Sequence, residues 1–104
     1  MKKILFLMVA FGASLFAAEA EVANQTLKAY SMIAAGVGLG LAALGGAIGM
    51  GHTAAATIAG TARNPGLGGK LMTTMFIALA MIEAQVIYTL VIALIALYAN
   101  PFLP

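Results

Sequence analysis

Hydrophobic positions along the chain fall into three blocks, separated by two short polar segments. The first block, MKKILFLMVAFGASLFAAEA, opens with Lys2 and Lys3 and is apolar from Ile4 to Ala18. A basic start, an apolar run short for a membrane span and a small-residue end are the pattern of a secretory signal peptide. Ala18, Glu19 and Ala20 fit its A-x-A cleavage site. The expectation is therefore a leader over residues 1–20 that is removed, leaving a mature chain that starts near Glu21; the other reading is an uncleaved N-terminal anchor.

A short polar segment, residues 21–28, precedes the second block, which runs over 29–62 without a formal charge. That is ample length for a helix through a hydrocarbon core of about 30 Å. The second polar segment is RNPGLGGK, residues 63–70, where proline and glycine stop one helix before another starts. The third block, 71–99, is a second span, closed by Asn100 and Pro101. The pattern predicts an all-α membrane protein, a hairpin of two transmembrane helices with a tight polar loop and a short end over 100–104.

Composition agrees with the membrane reading. Of 104 residues, 63% are hydrophobic and 8% charged, whereas soluble domains carry about 25% charged residues. With no cysteine, disulfide frameworks and thiolate chemistry are excluded. A net charge of +2 without a basic cluster gives no footprint for nucleic acid. Charge does orient the hairpin. Arg63 and Lys70 lie in the loop, and Lys28 is the one other positive residue beyond the leader. The positive-inside rule puts the loop in the cytoplasm and both termini outside. An exported N-terminus after leader removal gives the same topology.

Two features of the spans need a reason. In the first, GVGLGLAALGGAIGMG (36–51) has seven glycines in sixteen residues, each weakening a helix by up to about 1 kcal/mol relative to alanine. Gly36 with Gly40, and Gly45 with Gly49, are small-xxx-small pairs that let helices approach closely. Gly38, Gly46 and Gly51 spread the small residues over more than one face. A band that wide predicts a helix pressed between neighbours on both sides, as in a ring of identical hairpins. In the second span, Glu83 is the one charged residue between Leu71 and Ala99. It stands 18 residues beyond Pro65, about 24–27 Å along the helix, at the depth of Gly45 to Gly49 on the first span.

With GLAALGGAIGMG (40–51), ARNP (62–65) and the carboxylate 18 residues beyond that proline, the chain resembles the rotor proteolipids of F-type ATP synthases, the c-subunit family. The likeness covers residue 34 to the C-terminus. Asn64 stands where the family usually has glutamine, and the leader is not typical of it. The resemblance implies a homo-oligomeric ring in which Glu83 takes up and releases the coupling ion. The ring would turn past the a-subunit of the membrane sector, whose essential arginine neutralises the carboxylate. Arg63, Asn64 and Pro65 would meet the central-stalk subunits gamma and epsilon. The expected location is the bacterial inner membrane, where the partners are copies of the chain, those subunits and membrane lipid, with no cofactor.

Physical chemistry makes that role workable. A carboxylate facing lipid is strongly favoured as the neutral acid, and a water-filled channel or an arginine lets it ionise. One charge crossing ~100 mV yields about 2.3 kcal/mol, so several must pass for each ATP made. Sodium-type members carry a glutamine on the first helix and a hydroxyl residue directly after the glutamate. Met50 and Ala84 occupy those positions and offer no side-chain oxygen, so the ion expected is the proton rather than sodium. Tyr88 matches a tyrosine of many members and could hold the carboxyl from its own or an adjacent subunit. Gln85 lies about 200° round the helix from Glu83 and could reach it only across a subunit boundary.

Other polar residues have plainer readings. His52 is read as a neutral, hydrogen-bonded packing residue rather than a proton relay. Thr53, Thr57 and Thr61 are expected to bond back to carbonyls of their own helix. Methionines fill gaps, and no metal site is expected. Two further function classes compete with the rotor subunit: a self-assembling pore, which would need a continuous polar stripe, and a structural proteolipid, in which Glu83 would be replaceable by glutamine. Neither explains the glycine band, the loop and the mid-span glutamate together. On the rotor reading the chain is not an enzyme by itself, and no phosphate-binding motif is present.

Overall fold

The computed structural model describes residues 1–103, so the last position of the expected external end lies outside the described residues. Two helices account for nearly all of them: α1 over Lys2–Arg63 and α2 over Gly68–Tyr98, joined by Asn64 and a 3-10 turn at Pro65–Leu67. They fold back on each other as an antiparallel hairpin, narrow in cross-section (16 × 9 Å) and 94 Å long because α1 runs far past the end of α2.

Proline makes the bend. Pro65 has no N–H to give, and its ring forces the preceding residue out of the helical region. Asn64 accordingly sits at φ −142°, ψ 84°. Its N–H still closes the last turn on Gly60 O at 3.0 Å, and its own carbonyl accepts from Leu67 N at 3.1 Å. The chain therefore reverses while its backbone keeps hydrogen bonding through the turn.

Two boundaries differ from the sequence reading. The expected loop, 63–70, is shorter: Arg63 is the last residue of α1, and Gly68, Gly69 and Lys70 form the first turn of α2. Glycine there adopts ordinary helical angles, φ −53° and ψ −44° at Gly68, so only proline breaks the helix. At the other end, the leader, the polar segment 21–28 and the first span form one uninterrupted helix. Nothing between Gly12 and Gly36 in the sequence is a helix breaker, and polar residues such as Glu21 and Gln25 pair at i, i+4 (3.1 Å).

The seam between α1 and α2 is made by small residues. A Cβ added at Gly46 would lie 3.0 Å from Val86 Cγ2; at Gly49, 3.5 Å from Ile82 Cδ1; at Gly60, 3.0 Å from Leu71 Cδ1. Ala35 and Ala93 are the buried apolar residues of the half away from the loop. Near the free end of the hairpin, Asn100 Nδ2 donates to Ser31 Oγ at 3.0 Å. These pairs step evenly down both helices, so the hairpin has one constant register from loop to free end. Most large apolar side chains, such as Leu41, Phe76 and Ile92, face outward, as expected where lipid or another copy covers them.

Candidate functional site

The register brings Glu83 to the edge of the seam. Its neighbour Ile82 packs inward on Gly46 and Gly49, and one residue further on, about 100° round the helix, Glu83 opens to one flank of the hairpin. There it lines a groove of about 360 Å³ with Ala43, Gly46, Ala47 and Met50 of α1 and Val86 and Ile87 of α2. Every other lining side chain is apolar. The groove offers the carboxyl no cation and no hydrogen-bonding side chain.

Gly46 gives the groove its depth, because the approach of Val86 leaves no room for a side chain there. Met50 contributes a thioether wall. Of the remaining sequence candidates, Gln85 and Tyr88 are absent from the groove. They share a flank with Ile92 at i, i+3 and i+7 spacing, and Ile92 lines a separate groove with Gly38, Ala35 and Thr89 on the opposite flank. Both side chains are exposed. Neither meets Glu83 within one chain.

The glycines divide by direction. Gly46, Gly49 and Gly60 face α2, whereas Gly36, Gly38, Gly40, Gly45 and Gly51 have open space where a Cβ would stand. Measured from Gly46 at about 100° per residue, Gly36, Gly40 and Gly51 turn roughly 80–140° towards the Glu83 flank, and Gly38 and Gly45 roughly 80–100° towards the other. The pair Gly45 and Gly49 is thereby split: Gly49 serves the hairpin itself, Gly45 an outside neighbour. The first helix keeps both flanks bare.

His52 is exposed, on the flank of Gly38 and Gly45, and does not enter the Glu83 groove. Thr53, Thr57 and Thr61 donate to Gly49 O, Thr53 O and Thr57 O at 2.9, 2.8 and 2.8 Å, the back-bonding expected of them. Arg63, Asn64 and Pro65 are exposed at the tip. Sequence reasoning missed Ala43, Ala47, Val86 and Ile87 as groove walls. Their i, i+3 and i, i+4 spacing from Gly46, Met50 and Glu83 was the available signal. It also missed the Ser31–Asn100 link, whose only sign was a polar residue at the same end of each span.

Comparison with known proteins gives one answer. Residues 33–96 match the family model for the C subunit of ATP synthase. The ATP synthase c-subunit of Sulfurimonas denitrificans is 86% identical over 103 residues, covering 99% of each chain. The proteins of the same name from Aliarcobacter butzleri (81% identical, 99% of each chain) and Campylobacter lari (79%, 98% of this chain and 94% of the relative) are also similar end to end.

Proposed function

Since this chain belongs to the c-subunit family of ATP synthases, bacterial membrane proteins whose two-helix hairpins assemble into a ring, we propose that it carries protons on Glu83 as the ring turns, coupling proton flow to ATP synthesis. The observation that carries this reading is the placement of Glu83. It is the one charged residue within α2 beyond Lys70, and it sits in an otherwise apolar groove against Gly46. In lipid it is held as the neutral acid. Next to water or the arginine of the a-subunit it releases its proton.

The ring forms by contact of one flank with the opposite flank of the next copy, a head-to-tail interface that closes by rotation. Bare glycines on both flanks of α1 support this, since they let the first helices pack side by side. The exposed tip at Arg63, Asn64 and Pro65 faces the cytoplasm and meets gamma and epsilon; both ends of the mature chain lie outside. The leader is removed on export. The chain does no phosphate chemistry itself.

The ion is the proton, because within one chain the groove supplies no side-chain oxygen besides the Glu83 carboxyl: Met50 brings sulfur and the other walls are hydrocarbon, whereas sodium, a hard cation, needs several oxygen ligands, more than one facing side chain of the next copy would add. Carbodiimide, which reacts with protonated carboxyls in apolar sites, tests the whole reading. Purified rings should be labelled at Glu83 alone, with labelling that falls as pH rises and is indifferent to sodium. Protection by sodium would overturn the choice of ion. Absence of labelling at every pH would remove Glu83 from ion transport.

A further inference from the structure

Gln85 is a polar side chain inside an apolar span with no task in its own chain. The threonines of α2 all bond to carbonyls of their own helix, Thr89 to Gln85 O at 3.0 Å among them. The Gln85 amide, a group with two donors and an acceptor, takes part in no hydrogen bond among the described residues. An amide left facing hydrocarbon is costly, so in the assembled membrane protein it has a partner from outside the chain.

The geometry identifies the partner. Glu83 and Gln85 lie on opposite flanks of α2, about 200° apart in one sense and 160° in the other, and only ~3 Å apart along the axis. Copies in a closed ring are related by rotation alone, without a shift along the ring axis. When the Glu83 flank of one copy meets the opposite flank of the next, residues at equal depth meet. We propose that Gln85 of the neighbouring copy faces Glu83 across the subunit boundary and acts as its positioning residue. The amide carbonyl accepts the acid O–H while the amide N–H donates to the acid C=O. This two-point pair favours and orients the neutral acid during its passage through lipid.

Other groups around the pair are few. The α1 wall of the groove contributes none that titrates, nor do Val86 and Ile87. On the facing flank of the neighbouring copy, Tyr88 stands about one turn beyond Gln85 and His52 belongs to the first helix. The pairing rests on Glu83 being the ion-carrying carboxyl, and the tests separate the two claims.

The chain has no cysteine, so introduced cysteines report contacts cleanly. Rings of a chain carrying both Glu83→Cys and Gln85→Cys should give, on oxidation, a ladder of dimers and higher multiples. One chain cannot close that bond on itself. Assembled rings that give no ladder would overturn the juxtaposition, whatever Glu83 does. In the second test, Glu83 is labelled with carbodiimide across pH in wild-type and Gln85→Leu rings of the intact complex. Loss of a partner that favours the neutral acid should move the labelling midpoint to lower pH. A residue needed only for packing would leave the midpoint in place. An unchanged or raised midpoint in Gln85→Leu rings that assemble would refute the positioning role. If wild-type rings take no label at any pH, it is the reading of Glu83 that fails, and the cross-link still decides whether the two residues meet.

Discussion

Val86 lies so close to Gly46 that a methyl placed on Gly46 would stand 3.0 Å from Val86 Cγ2. The contact is beside Glu83, and it determines how deep the carboxylate groove is. Val86 is β-branched and stiff, so it cannot swing away from an intruding group. Gly46→Ala should destabilise the hairpin at this level by about 1–3 kcal/mol, the usual cost of overpacking a tight contact. The check is the temperature at which detergent-purified rings dissociate. Gly45→Ala, with open space in its own chain, should leave the hairpin intact and act only on assembly.

Glu83→Gln keeps the shape of the side chain and removes its titration. Rings should assemble with wild-type yield, since every groove wall in its own chain is apolar. Proton conduction by the reconstituted membrane sector should fall to background, measured as acidification of vesicles under an imposed potential. Retained conduction would favour the structural-proteolipid reading.

Asn100 and Ser31 tie the free end of the hairpin at 3.0 Å, and Asn100 Oδ1 also accepts from Phe102 N at 3.0 Å. Replacing Ser31 by Ala should cost about 0.5–1.5 kcal/mol, as for one ordinary hydrogen bond. Asn100→Leu should cost more, because it releases the Phe102 turn as well. A double-mutant cycle on ring dissociation should give a coupling energy for the pair; simple additivity would mean that the bond is not made in the ring.

Thr57→Val should be close to neutral for ring stability. Its hydroxyl serves only its own helix, through Thr53 O at 2.8 Å, and such back-bonding adds little to a helix. A large loss would show that the hydroxyl meets a neighbouring copy.

Intact-mass measurement of the chain from membranes should give a species beginning near Glu21. A cysteine introduced at Gly66, in the exposed tip, should react with a membrane-impermeant maleimide only from the cytoplasmic side. Reaction from the other side would invert the topology.

Much of this molecule is legible without coordinates. The apolar blocks, Pro65 and the length of each run specify the hairpin, because lipid demands that backbone groups be paired and an unbroken apolar run of this length pairs them within itself as a helix. The isolated charge at Glu83 singles itself out by the cost of placing it there. The loop limits come out too wide from sequence because Gly68 and Gly69 read as a helix stop, whereas behind a proline they simply follow helical angles.

The order of residues alone specifies the number of spans, the place of the bend, the position of Glu83 along the hairpin and the presence of a band of glycines. All of these follow from local chemistry and helix rise, which act along the chain. Direction is a property of the packed pair of helices. Which glycines face α2 and which face outward, and whether Glu83 lies within the seam or on a flank of it, depend on the rotation of each helix about its own axis. That rotation is set where the seam packs, at Gly46 on Val86, Gly49 on Ile82 and Gly60 on Leu71. A repeat of small residues permits several such rotations, and packing the two helices together selects one.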